Sequence, residues 1–410
     1  VAVALLVVMA GMALILDRLW LDAADLELTT AAEAAALKAA SELANDDLLK
    51  PNADPEQRFD QARAAAAWIA SQNLVAGDPV VLSTDREGDI RFGRLITQET
   101  GQVQFNETTQ HPTTAVVTAM RTRRTSNPVG LFVSGVTGFP AGDVATRVEA
   151  SIDNRVRGVR PQDGAPIPTV PLAIWLKDPA GRRLDTWETQ IEARKGQDLF
   201  GFDPVERRVY DGSDGIPEIL LRSQPRGPVS SNANVMVLDI GSGLKDDTLA
   251  RQFASGWTSE DLAPLGGELC VTANSPVSLR ASGELRHGDR EALDVLIGEP
   301  RLCLLYSEAQ LSSSGTTWQT TCVRMVGIRV LEVRDQLDGS CEIVAQPCLV
   351  KTKTAILDVP APYSTDGVKF VSPYINATAT TTPASAGNGS ATPPASDPGH
   401  PYLYKLQLTH

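Results

Sequence analysis

Histidine, cysteine and aromatic residues are scarce in this chain: 4 His, 5 Cys and 5% Phe, Trp and Tyr among 410 residues. His111, His287, His400 and His410 stand at no metal-ligand spacing from one another or from a cysteine, which argues against a zinc site. Basic residues are outnumbered 37 to 50, for a net charge of -13. That field repels nucleic acid and anionic membrane surfaces, so nucleic-acid binding drops out first. There is no G-x-S-x-G elbow, and Gly241-Ser242-Gly243-Leu244-Lys245 lacks the length and the final Ser/Thr of a phosphate-cradling loop. Sequence repeats of fixed period are missing too. No catalytic set emerges from fifty scattered acids, so neither an enzyme activity nor a cofactor or metal is expected.

What the chain does have is length for two or more packed domains, and 32 Gly with 27 Pro that mark many turns and short strands. Its opening is distinctive. Residues 1–16 read VAVALLVVMAGMALIL, without one charge, before Asp17 and Arg18 arrive together. At 1.5 Å per residue that run makes roughly 24 Å of helix, a little short of a bilayer core, and Leu19, Trp20 and Leu21 extend it if Arg18 snorkels. No initiator Met, basic leader or small-residue cleavage site accompanies it, so the expectation is a pilin-like helix retained after a leader is cut, with a start set by the fragment itself as the plainer reading. Alanines from 23 to 44 carry the helical pattern on to Leu49, and Lys50-Pro51 ends it. The small side chains suit close packing against copies of the same helix or, equally, against the chain's own body.

The expected fold class is α+β: a long N-terminal helix followed by β-rich domains with antiparallel sheets. Four regions are expected, at 1–50 (membrane or filament-core helix), 51–165 (first α+β domain), 166–360 (second β-rich domain) and 361–410 (Thr/Ser/Pro-rich tail). Asp54-Pro55 predicts the N-terminus of a second helix over Glu56 to Asn73. Strands are predicted at 79–82, 90–96, 115–121, 129–133, 144–152, 170–176, 219–221, 235–240, 302–306, 317–333 and 341–357, and short helices at 246–254 and 290–297. Ser312 to Gly315 and Leu337 to Gly339 read as hairpin turns.

All five cysteines, Cys270, Cys303, Cys322, Cys341 and Cys348, lie in the second half. A turn at 312–315 would set Cys303 opposite Cys322, a candidate disulfide, while buried free thiols are the alternative. Two acidic clusters, Asp85 to Asp89 and Asp211 to Gly215, read as calcium ligands or as solvated turns. Asn106, Asn376 and Asn388 open glycosylation sequons. After the low-complexity stretch from Ala377 to Gly399, Tyr402, Tyr404, Leu406 and Leu408 recur at period two, the signal of a strand that docks on its own domain or on a neighbour's.

The apolar run ending at Asp17, followed by Ala-Ala-Glu-Ala-Ala-Ala-Leu-Lys-Ala-Ala with Glu33 as a second acid, resembles the N-terminal region of TadG-like and TadE-like proteins of tight-adherence (Tad) pilus systems, of planctomycete type. The likeness extends over 62–73, 78–94, 116–132, 143–150, 234–240, 256–269 and 297–306. It implies a structural, non-enzymatic subunit of a cell-surface filament, either extracellular or held in the inner membrane with its body outside the cytoplasm. Its partners would be copies of itself and other Tad components, with the membrane before assembly. The assembly helix would use Val1, Leu5, Leu6, Ala10, Leu14, Asp17, Trp20 and Glu33. Two departures stand out. The metal motif of the von Willebrand A domain found in some relatives is missing, since Asp239-Ile240-Gly241-Ser242-Gly243 has glycines where oxygen ligands belong, and Leu5 stands where pilins carry a glutamate. A membrane-anchored assembly or minor pilus protein is the alternative, and an envelope hydrolase or metal-dependent adhesin a further one.

Overall fold

An uninterrupted helix, α1, takes up Ala2–Leu43. Alanine supplies its propensity, and its single glycine, Gly11, is too little to break it. The computed structural model describes residues 2–409 apart from 52–53, 226–231, 314, 316, 360–362, 366–367, 371 and 375–398. α1 stops earlier than the expected Leu49, because Asn45 turns its side chain back to accept the Asp47 N–H at 3.2 Å and starts a 3-10 turn over Asp46–Leu49. Asp46 then accepts from Arg329 Nη1 at 2.6 Å and from the Leu349 N–H at 2.7 Å, tying the helix end to the far half of the chain. α2, Pro55–Ser71, opens as expected: Asp54 Oδ1 accepts the Glu56 N–H at 2.9 Å and proline holds the first turn.

Strands β1 (Ile90–Thr97), β2 (Val103–Glu107), β3 (Thr114–Arg121) and β4 (Val144–Asp153) follow, joined antiparallel in the order β2-β1-β3-β4. The expected strand at 129–133 shrinks to Val129–Gly130, paired with Ala141–Gly142 around a loop. A short β5 (Val156–Val159) leads into the second half.

There the chain lays down β6 (Thr169–Trp175), β7 (Ile219–Arg222), β8 (Val235–Leu238), α3 (Asp246–Ser255), β9 (Val277–Ser282), α4 (His287–Val295), β10 (Pro300–Leu311), β11 (Trp318–Asp335) and β12 (Cys341–Pro347). Their order is β7-β12-β11-β9-β8-β6-β10, and β10 also pairs with β11, so β11, β9, β8, β6 and β10 close on themselves as a barrel. The closing pair β6–β10 is parallel, with Ala173 opposite Leu304. Alternate residues feed two apolar clusters: Leu172, Ile174, Val235 and Val237 belong to one, Ala173, Met236 and Leu238 to the other.

The chain then returns. β13 (Val350–Lys351), β14 (Ala355–Leu357) and β15 (Leu403–Leu408) run back to the first half, where β14 pairs with β5 and β15 adds antiparallel to β4, with Leu406 opposite Ile152. The first sheet thus reads β2-β1-β3-β4-β15-β13 among the described residues. One core cluster runs from Leu28 on α1 through Val117 on β3 to Ile328 on β11 and Tyr404 on β15, so the two halves share a core.

Candidate assembly surface

α1 has two chemically different halves. From Ala24 onward, Leu28, Ala31, Ala32, Ala35, Ala36, Ala39, Ala40 and Leu43 recur three, four and seven apart and are buried against β3, β4, β15 and α2. Alanine at nearly every buried turn lets the helix axis lie close on the sheet, and Glu33 sits half-buried beside that stripe with no ion-pair partner among the described residues. The first half does the opposite. Val7, Val8, Met9, Met12, Leu14, Ile15, Leu16 and Leu19 are each more than half exposed. Because 7, 8 and 9, like 14, 15 and 16, are consecutive at about 100° of turn each, the exposure covers more than half of the circumference, and only a narrow face through Ala10, Ala13 and Asp17 is covered. Val1 and the side chains of Leu5 and Leu6 lie outside the described residues, and Ala10 is half-buried.

The junction is built around Asp17, which is buried at 4% exposure. Its Oδ1 accepts the N–H groups of Phe132 and Val133 at 3.0 and 3.1 Å, so the carboxylate anchors the 131–140 loop to the helix. Oδ2 is enclosed with no hydrogen-bond partner. One turn on, Trp20 Nε1 donates to the Gly130 carbonyl at 3.0 Å and its ring lies 4.7 Å from that of Phe132. Gly142 belongs to the same seam: a Cβ there would come within 2.6 Å of Leu21 Cδ2, so only glycine lets the loop lie this close. Phe132 and Phe139 are left largely exposed, extending the apolar surface from the helix onto the loop. Sequence reasoning missed this loop by reading 129–133 as a strand; its signal is the pair of phenylalanines set among Gly130, Gly135 and Gly138.

The tail residues come together as a strand. Tyr402 and Tyr404 are fully buried, Leu406 and Leu408 pack partly buried on the same core, and the strand pairs with β4 of its own chain. Nδ1 of His400 receives the N–H groups of Tyr402 and Leu403 at 3.2 and 2.9 Å, fixing the strand's entry. Burial, with the Arg324 charge behind it, pushes that imidazole down to about 4.

The Cys303–Cys322 disulfide is not formed, and all five thiols are free. The turn at 312–315 is present, its Gly315 N–H donating to the Ser312 carbonyl, but the hairpin loop runs on to 317: Leu311 pairs with Trp318, which sets Cys303 opposite Val326, while Cys322 faces Tyr306 across a bulge. Cys303 lies in one core cluster and Cys322 in the other, on opposite faces of the strands. Burial pushes the Cys322 and Cys348 thiols each up to about 12, so they stay protonated and unreactive.

Among the described residues, no group of three or more His, Cys, Asp or Glu side chains is placed to hold a metal ion. In the acidic clusters, Asp89 accepts the Ser83 N–H and Asp214 the Ile216 N–H, and Asp239 is taken by the Gly243 N–H and Arg280. The sequons at Asn376 and Asn388 lie outside the described residues, as does His410. Also among the described residues, no helix is long and apolar enough to cross a membrane. Comparison with protein-family models, with curated proteins and with solved structures returned no match.

Proposed function

We propose that this chain is a structural subunit of a bacterial surface filament of the Tad or type IV pilus kind, in which the first half of α1 packs with the same segment of neighbouring copies and the β-rich body decorates the outside. The observation that carries the reading is the contrast within one helix: broad apolar exposure from Val7 to Leu19, then an apolar stripe from Leu28 to Leu43 that is fully buried. An exposed apolar surface of this kind in water is an association site. The exposed Phe132 and Phe139 beside it give a neighbour's helix a second, aromatic contact. The resemblance of residues 1–49 to TadG-like and TadE-like proteins points the same way, and the role is structural rather than enzymatic. Electron microscopy of material sheared from cells that make this chain tests the reading: a regular polymer containing it is expected, and its absence there refutes the proposal.

A second reading is a membrane-anchored assembly or minor pilus protein, and one observation favours it. Directly below the apolar segment, Arg18 and Asp22 form an exposed ion pair at 3.1 Å, a charged collar of the kind found where a bilayer helix surfaces. Mass spectrometry of the native N-terminus separates the two: a retained basic leader marks the anchor, a processed start at the apolar run the filament subunit.

A further inference from the structure

The returning C-terminal strand closes more than a sheet. Where β15 lies beside β14 and the turn at 160–162, a cleft of about 410 Å³ opens, lined by Arg160, Gln162, Thr354, Tyr363, Lys405 and Gln407 together with an apolar wall from β14. Among the described residues its lining holds two cations and no carboxylate, in a chain whose net charge is -13. Neither cation is well neutralised from within. Asp153, opposite Lys405 in the strand register, is committed to Arg155 at 2.6 Å, and Lys405 makes no hydrogen bond or ion pair of its own among the described residues. Glu268 reaches Arg160 only at 4.0 Å. At the back, the Tyr363 hydroxyl is enclosed beside Gln407 and Asp153. Burial and the facing Arg160 charge hold the Lys405 ammonium below its ordinary range, a cost that an anion between the two cations would remove.

We propose that this cleft binds an acidic monosaccharide unit, its carboxylate held between Arg160 and Lys405 and its hydroxyls met by Gln162, Gln407, Thr354 and Tyr363. The charge pair selects an anion. The amides and hydroxyls around it both donate and accept, which matches the hydroxyls of a sugar ring. The volume falls in the range of small-ligand sites, roughly 300 to 1,000 Å³, whereas a bare inorganic anion leaves most of it unfilled. The unit is either free or the end of a surface polysaccharide. The inference is independent of how the chain assembles.

Isothermal titration of the full chain with galacturonate, an oligogalacturonate, galactose and inorganic phosphate tests it. Galacturonate binds, galactose and phosphate bind at least about tenfold more weakly, and Arg160→Gln and Lys405→Gln each weaken galacturonate by about tenfold, the loss of one charge-assisted hydrogen bond. Arg160 is exposed, so that variant keeps the wild-type melting temperature. Tighter binding of the oligomer assigns the site to a polysaccharide, and equal binding to the free sugar. No binding of galacturonate, equal binding of galactose or of phosphate, or unaltered affinity in both variants overturns the proposal.

Discussion

Leu14→Asp separates assembly from folding. Leu14 is 57% exposed in the isolated chain, so a carboxylate there is already hydrated and the body's stability changes by no more than about 0.5 kcal/mol. In the assembled state the same position is covered. An aspartate in the middle of an apolar helix environment costs about 2.5–3.5 kcal/mol, and the lost leucine burial adds about 1 kcal/mol or more for its exposed portion. Together these come to roughly 4 kcal/mol per subunit, close to a thousandfold in the association constant. The assay is paired: thermal melting by circular dichroism for the body, and pelleting with electron microscopy for the polymer. Melting is expected to stay within a few degrees while polymer disappears at concentrations where the wild type forms it. Leu28→Asp is the control, because Leu28 is fully buried and its replacement unfolds the domain. Polymer unchanged by Leu14→Asp, or a body that melts much lower, refutes the division of α1 into an outward and an inward half.

Asp17→Ala strands the Phe132 and Val133 amides at a buried seam and is expected to cost about 1–3 kcal/mol locally, read as faster hydrogen exchange at those two amides with slow exchange kept on β3. Deleting 402–410 strips β4 of one of its two partner strands and removes two fully buried tyrosines; each large side chain is worth about 3 kcal/mol or more, so the truncated chain is expected to melt far below the full one, and equal melting temperatures would show the strand to be idle. His400 gives a pH signature. The unfolded ring takes a proton near 6.5 and the folded ring only near 4, so between these values the unfolded state binds more protons. Stability therefore falls as pH drops from about 6.5 to about 4, and denaturant titrations of His400→Asn should lack that part of the slope.

Local signals in the sequence translated well into structure. Asp54-Pro55 marks α2 because the cap and the first turn are decided by neighbouring residues, and the alternation from Tyr402 marks β15 because Tyr402, Tyr404, Leu406 and Leu408 all pack on one core cluster. Signals that depend on distant partners did not translate. The Cys303–Cys322 pairing hinged on the length of the hairpin loop, and a loop that runs past the 312–315 turn to 317, with a bulge near Tyr306, puts the thiols on opposite faces. Closure of the barrel through the parallel pair β6–β10 joins segments more than a hundred residues apart and leaves no local trace. The hairpin of Phe200–Asp203 with Arg208–Asp211 and the strand Val277–Ser282 are short, polar-rich and held by their neighbours, so propensity alone passes over them. At the assembly surface the apolar half of α1 and Asp17 were readable, whereas the loop that carries Phe132 and Phe139 was not, because its place is fixed by contacts with Trp20 and Leu21 from over a hundred residues away.

The central claim is that residues 7–19 are dry in the working state of the protein. Hydroxyl-radical footprinting of native surface material, read by mass spectrometry at Met9 and Met12, tests it most directly, since both methionines are more than half exposed in the single chain and oxidise readily when wet. The account predicts strong protection of both in native material, lost when subunits are dissociated. Equal oxidation in the two states would contradict it.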